Sequence, residues 1–148
     1  MSDKVQVPDM AALATYLDKA RQIATISKMM APALLRDLIE GQDVAGVMLA
    51  RAIQESQRTQ SRLDQAKAIA YLDKASDYLK LKGLKDNVEA RKMYVDLDDS
   101  VVQALDDKAK IEALVVLLKN KLNILRMSHD DLKKIVYADT HMTSWEGM

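Results

Sequence analysis

From Ile111 to Val136 side chains suited to one seam return at steps of three and four: Ile111, Leu114, Leu118, Leu122, Leu125, His129, Leu132 and Val136. An α-helix needs that rhythm to keep one stripe facing a neighbour, and it predicts a long last helix over about 101–137, capped by Asp99 or Ser100. Within it, Leu114-Val115-Val116-Leu117-Leu118 is apolar around the whole circumference, so a single partner helix would leave large side chains in water. More than one neighbour is required. A monomeric bundle could supply them, but a chain whose other apolar helices are short does so more easily as an oligomer, which makes Leu114, Leu118, Leu122, Leu125, His129 and Leu132 the expected oligomer interface.

Upstream, Pro8 and Asp9 open a helix over about 10–30 with Leu13, Leu17, Ala20 and Ala24 on one face. Pro32 has no backbone donor and enforces a break. A short helix over 33–40 is expected to stop at Gly41, with Asp43 capping a long one over 44–82 that ends before Gly83. Gln54 to Arg62 contains no apolar residue, and the pattern leaves it open between exposed helix and local interruption. A further helix is expected over 87–97, and 138–148 reads as a flexible tail. The expectation is an all-α bundle of long helices, one domain over 1–137, completed by homo-oligomerisation.

Composition agrees with long helices: 148 residues hold four Gly, two Pro and no Phe. Without cysteine there is no disulfide, thiol nucleophile or thiolate zinc site. Met1 to Met10 has no apolar run like a signal peptide, and no stretch of about 18 apolar residues occurs, so a cytoplasmic protein without a membrane partner is expected. The glycines form no phosphate-binding loop, and His129 and His141 lack a carboxylate or serine at motif spacing. Asp96, Asp98 and Asp107 fit the first, third and twelfth positions of a calcium loop, but Val101 stands at the sixth, where the turn needs glycine. No enzyme, cofactor or metal site is therefore expected. Trp145, the one tryptophan, reads as a frayed end or a packed residue rather than a docking anchor.

Formal charge sums to zero, but its distribution is uneven. Between Arg51 and Lys85 eight cations stand against four acids, and Asp96, Asp98, Asp99, Asp106 and Asp107 follow. Within the basic segment Lys67, Tyr71, Lys74, Tyr78, Lys82 and Lys85 recur at helical steps and share one face of a regular helix. Ammonium groups follow phosphates and tyrosine rings stack on bases, as a single-strand binder requires. The same spacing also describes a seam in which Tyr71 and Tyr78 pack beside Ala68, Leu72, Ala75 and Leu79 while lysine stems pass over them. Both readings stay open. Arg51, Arg58 and Arg62 form a second cationic row, and Lys119, Arg126 and Lys133 a third; singly these are solvated faces, but repeated in an oligomer they make positive tracks.

Over roughly Arg51 to Asp139 the order of features resembles the phage recombination mediator family typified by the T4 UvsY protein. A basic helix, Gln65-Ala66-Lys67-Ala68-Ile69-Ala70-Tyr71, leads to Asp77-Tyr78 and Gly83. Asn87-Val88-Glu89-Ala90-Arg91-Lys92-Met93 then precedes Asp98-Asp99-Ser100-Val101-Val102, and a long apolar helix reaches Asn123-Ile124-Leu125-Arg126 and Leu132-Lys133-Lys134-Ile135. The resemblance implies a non-enzymatic mediator that assembles as a ring and binds single-stranded DNA. Such a protein helps a phage recombinase replace the single-strand-binding protein. Lys67 and Lys74 match the family's basic helix most directly. The alternative of another class is a helical structural or adaptor protein, a virion or scaffolding component, that does not touch nucleic acid.

Overall fold

A computed structural model describes residues 10–25 and 30–145, with side chains over 10–23 and 30–138. Among the described residues the fold is all-α, without a strand. Helix α1 spans Ala11–Arg21 and tightens into a 3₁₀ turn, Gln22–Thr25. Leu13 and Ala20 are its buried residues. The expected start at Pro8 and Asp9 lies outside the described residues, as do residues 26–29 at its expected end.

Helix α2, Ala31–Ile69, begins where Pro32 required a boundary, since a proline in the first turn gives up a donor that has no intrahelical partner anyway. The expected stop at Gly41 and restart at Asp43 do not occur: one helix runs through both. Gly41 serves a different purpose. It is buried, and a Cβ there would lie 2.8 Å from the Tyr16 Cβ, so its missing side chain lets α1 and α2 approach. From Ala31 to Thr59 the buried positions of α2 are Ala31, Leu34, Leu38, Gly41, Ala45, Met48, Ala52, Glu55 and Thr59, alternating in steps of three and four, and Leu63 follows four residues on. That rhythm carries the helix straight through the polar stretch Gln54 to Arg62. There the seam is polar: Glu55 lies 3.6 Å from Arg58 and 3.3 Å from Arg62, and the Thr59 hydroxyl donates to the Ser56 carbonyl at 2.8 Å. Burying these groups is tolerated because each has a partner.

Beyond Leu63 the rhythm changes, with buried positions at Ala70, Ala75 and Leu79 and therefore one step of five. The extra residue is taken up in a π turn, Ala70–Lys74, which joins α2 to α3, Ala75–Leu81. Helix α4, Val88–Leu97, is capped by Asn87, whose side chain accepts from the Ala90 amide at 2.9 Å. Helix α5, Asp99–Trp145, extends past the expected end near residue 137 and through most of the expected tail. Its cap is Asp98, one residue before the two candidates the sequence offers.

The described chain divides into two compact units. One comprises Ala52–Leu114 and is centred on Leu63, Ala70 and Val101, with Ala66, Tyr94, Val95 and Ala104 packed against them. The other is made of the residues up to Arg51 and those from Val115 onward, with Leu13, Leu38, Leu118, Leu125 and Leu132 fully buried. In it Lys19 of α1 pairs with Asp37 of α2 at 3.0 Å. Helices α2 and α5 each contribute to both units.

The expected oligomer seam is therefore largely core. Leu118, Leu122, Leu125 and Leu132 are buried within the single chain, and Leu114 and His129 are half-buried. Water instead meets Val116, Leu117, Ile124 and Met127 on another side of α5. The all-round apolar run at 114–118 divides accordingly between covered and exposed sides.

Candidate nucleic-acid interface

Apart from Arg51, the basic segment lies in the unit formed by Ala52–Leu114, where the π turn sets its geometry. One extra residue turns everything after it by about 100° relative to a regular helix. Lys67, before the turn, stands exposed on α2. Lys74, at its end, is carried to the start of α5, with its Nζ 3.4 Å from Asp98 Oδ2 and 3.5 Å from Ser100 Oγ. The six residues expected on one face are therefore not equivalent.

The tyrosines are engaged within the protein. The Arg91 guanidinium lies 5.6 Å from the Tyr71 ring centroid and donates to the Tyr71 carbonyl at 3.2 Å. The same group holds Asp86 in a fork, at 2.7 Å from Nε and 2.9 Å from Nη2. These bonds keep the Asp86 carboxyl below, and the Arg91 guanidinium above, their ordinary pKa values. Tyr78 stacks on Tyr94 of α4, ring centroids 4.8 Å apart and planes tilted by 37°, and Lys82 Nζ sits 6.0 Å from its centroid. Both tyrosines are half-buried, as in the packing reading of the same spacing.

Asp98 organises the junction of α3, α4 and α5. Its Oδ1 accepts from the Ser100 and Val101 amides at 3.0 and 3.2 Å, and its Oδ2 from the Tyr94 hydroxyl at 2.8 Å. Burial pushes the Asp98 carboxyl up, but the Tyr94 hydroxyl, the Val101 amide and Lys74 together outweigh it and hold the group below its ordinary value. Burial first, and the bond to Asp98 second, push the Tyr94 phenol up to about 12. Asp98 is thus committed to capping, and no group of three or more potential metal ligands is assembled among the described residues.

Arg58 and Arg62 both reach Glu55. Arg62 also lines a groove of about 390 Å³ over Ala66 and Ala104, but Asp99 and Asp107 share its walls. A phosphate would meet two carboxylates there. Lys67 on α2 and Lys80, Lys82 and Lys85 around the α3–α4 elbow face water, as does Arg51, which belongs to the other unit. Arg91, Tyr94 and Asp98 carry the site's architecture, and spacing within one helix could not reveal them because each acts across to another element. The clue available was the Asp98-Asp99-Ser100 cluster at a helix start.

Comparison with known proteins adds no kinship: no known family, curated protein or solved structure matches the chain. No helix among the described residues is long and apolar enough to cross a membrane.

Proposed function

We propose that this chain is a non-enzymatic, self-associating recombination mediator that binds single-stranded DNA and helps load a phage recombinase onto it. The observation that carries this reading is the set of exposed lysines, Lys67, Lys80, Lys82 and Lys85, in the segment that resembles the mediator family's basic helix and the elbow after it. The contact is electrostatic: lysines displace counterions from phosphates, while Tyr71 and Tyr78 serve packing. Self-association uses the exposed apolar residues of α5, Val116, Leu117, Ile124 and Met127, since the leucine seam is already covered.

Titration of labelled oligo-dT against the protein at several salt concentrations tests the reading. Changing Lys67, Lys82 and Lys85 together to alanine should lower the slope of log affinity against log salt by about 2, at roughly 0.7 per single-strand phosphate contact. Lys74 is left in place because it pairs with Asp98. Loading is then assayed as displacement of a single-strand-binding protein by a recombinase. The helical adaptor reading gains from the covered tyrosine rings and from the pairing of Arg58 and Arg62 with Glu55. A wild type that does not retain oligo-dT at low salt would establish it over the mediator.

A further inference from the structure

The α3–α4 elbow reads Lys80-Leu81-Lys82-Gly83-Leu84-Lys85, three cations alternating with two leucines and no acid among them. Its backbone is fixed. Gly83 adopts φ +67°, the left-handed conformation that glycine enters freely, and the Leu84 amide donates to the Leu79 carbonyl at 2.9 Å while the Gly83 amide donates to Lys80 at 3.1 Å. Leu79 is buried and anchors this cap. Leu81 and Leu84 are nevertheless 83% and 56% exposed. Two large aliphatic side chains are thus held in water by an ordered turn, Leu81 between Lys80 and Lys82 and Leu84 beside Lys85.

Resting on the single-strand reading above, we infer that Leu81 and Leu84 are the base-contacting residues of the site, in the place expected for Tyr71 and Tyr78. The argument is complementarity. An occupant of this elbow must offer negative charge to Lys80, Lys82 and Lys85 and apolar surface to the leucines within the same few ångströms. Unpaired nucleotides do both, with phosphates on one side and open base faces on the other, against which an aliphatic side chain can bury its surface. A duplex offers the phosphates but keeps its base faces stacked inside. The neighbouring acid, Asp86, is neutralised by the Arg91 fork and does not oppose a phosphate at Lys85. The elbow therefore distinguishes single strands from duplex through its leucines and supplies affinity through its lysines.

The experiment compares the full-length wild type with Leu81→Ser and Leu81→Ser/Leu84→Ser on oligo-dT and on a duplex of equal phosphate number. Oligo-dT affinity should fall about threefold to tenfold for the single change and further for the double, with the salt slope and duplex affinity unaltered. A Leu81→Trp variant in a Trp145→Phe background should bind oligo-dT at least as tightly as wild type, with its fluorescence quenched on binding. That gain is not explained by loss of folding. Unchanged oligo-dT affinity in the serine variants, or an equal loss on duplex, overturns the inference while leaving the proposed function standing. Binding of phosphatidylglycerol vesicles that depends on Leu81 when oligo-dT binding does not would assign the elbow to a lipid surface instead. A wild type that holds neither DNA removes both readings together.

Discussion

Asp98 brings the ends of three helices to one carboxylate, and its neighbours define what removing it does. Asp98→Ala deletes a helix cap, leaves the Tyr94 hydroxyl without its acceptor and takes from Lys74 its carboxylate partner, which should destabilise the protein by about 2–4 kcal/mol in urea unfolding at neutral pH. Acid should act on the same residue. Its folded pKa lies below the unfolded value, so its stabilisation is complete above the ordinary carboxylate pKa and disappears as pH falls through the folded value. Asp98→Asn should therefore flatten part of the acid limb of the stability curve; a limb identical to wild type would show that other carboxylates govern it. Tyr94 has the opposite arrangement. With its phenol raised to about 12, the stability it contributes is complete below the ordinary tyrosine pKa and is lost as pH rises through the folded value, which absorbance titration of the tyrosines can follow.

At the scale of elements, two glycines of α2 offer a paired test. Gly46 has nothing within 4 Å of an added Cβ, so Gly46→Ala should stabilise by up to about 1 kcal/mol through helix propensity alone. Gly41→Ala places its methyl against Tyr16 Cβ and Cγ, at 2.8 and 2.9 Å, and should lose about 1–3 kcal/mol overall as α1 is displaced. Thermal melts of the two variants should move in opposite directions. The same pair shows why the sequence predicts a break here: Gly41 with Asp43 two residues on matches a helix end followed by a new cap, and close approach by Tyr16 leaves no local trace in the sequence. The helix starts at Pro32 and Asn87 and the burial rhythm of α5 were legible because they depend on neighbours a few residues away. The π turn was not. Lys67 to Lys85 spaced as on a regular helix gives no sign that five residues, Ala70–Lys74, take an extra place and swing Lys74 to Asp98.

For the whole molecule, the sequence conveyed the fold class and the basic segment. It set the oligomer seam on Leu118, Leu122, Leu125 and Leu132, which the chain itself buries, because periodicity identifies a stripe without saying whether the chain's own helices cover it. Glutamates at Val116 and Ile124 should thus convert an oligomer to smaller species in light scattering, since a carboxylate in a dry contact costs several kcal/mol. Helicity by circular dichroism should persist, and a wild type that is monomeric at tens of micromolar would contradict this assembly. Leu118→Glu should instead unfold the protein, its side chain being fully enclosed.

The division of the chain also imposes an order in time. Ala52–Leu114 is one uninterrupted run of sequence, whereas its companion unit draws on residues on both sides of that run. A ribosome delivers the chain from its N-terminus, so the elbow, the Asp98 junction and the core at Leu63, Ala70 and Val101 are all available to close before Val115 has left the exit tunnel. Through that interval the unit to which Leu34 and Leu38 belong lacks its C-terminal half. The nascent protein is most exposed to aggregation there, and the short polar breaks among the apolar residues of α2 are its protection during the wait.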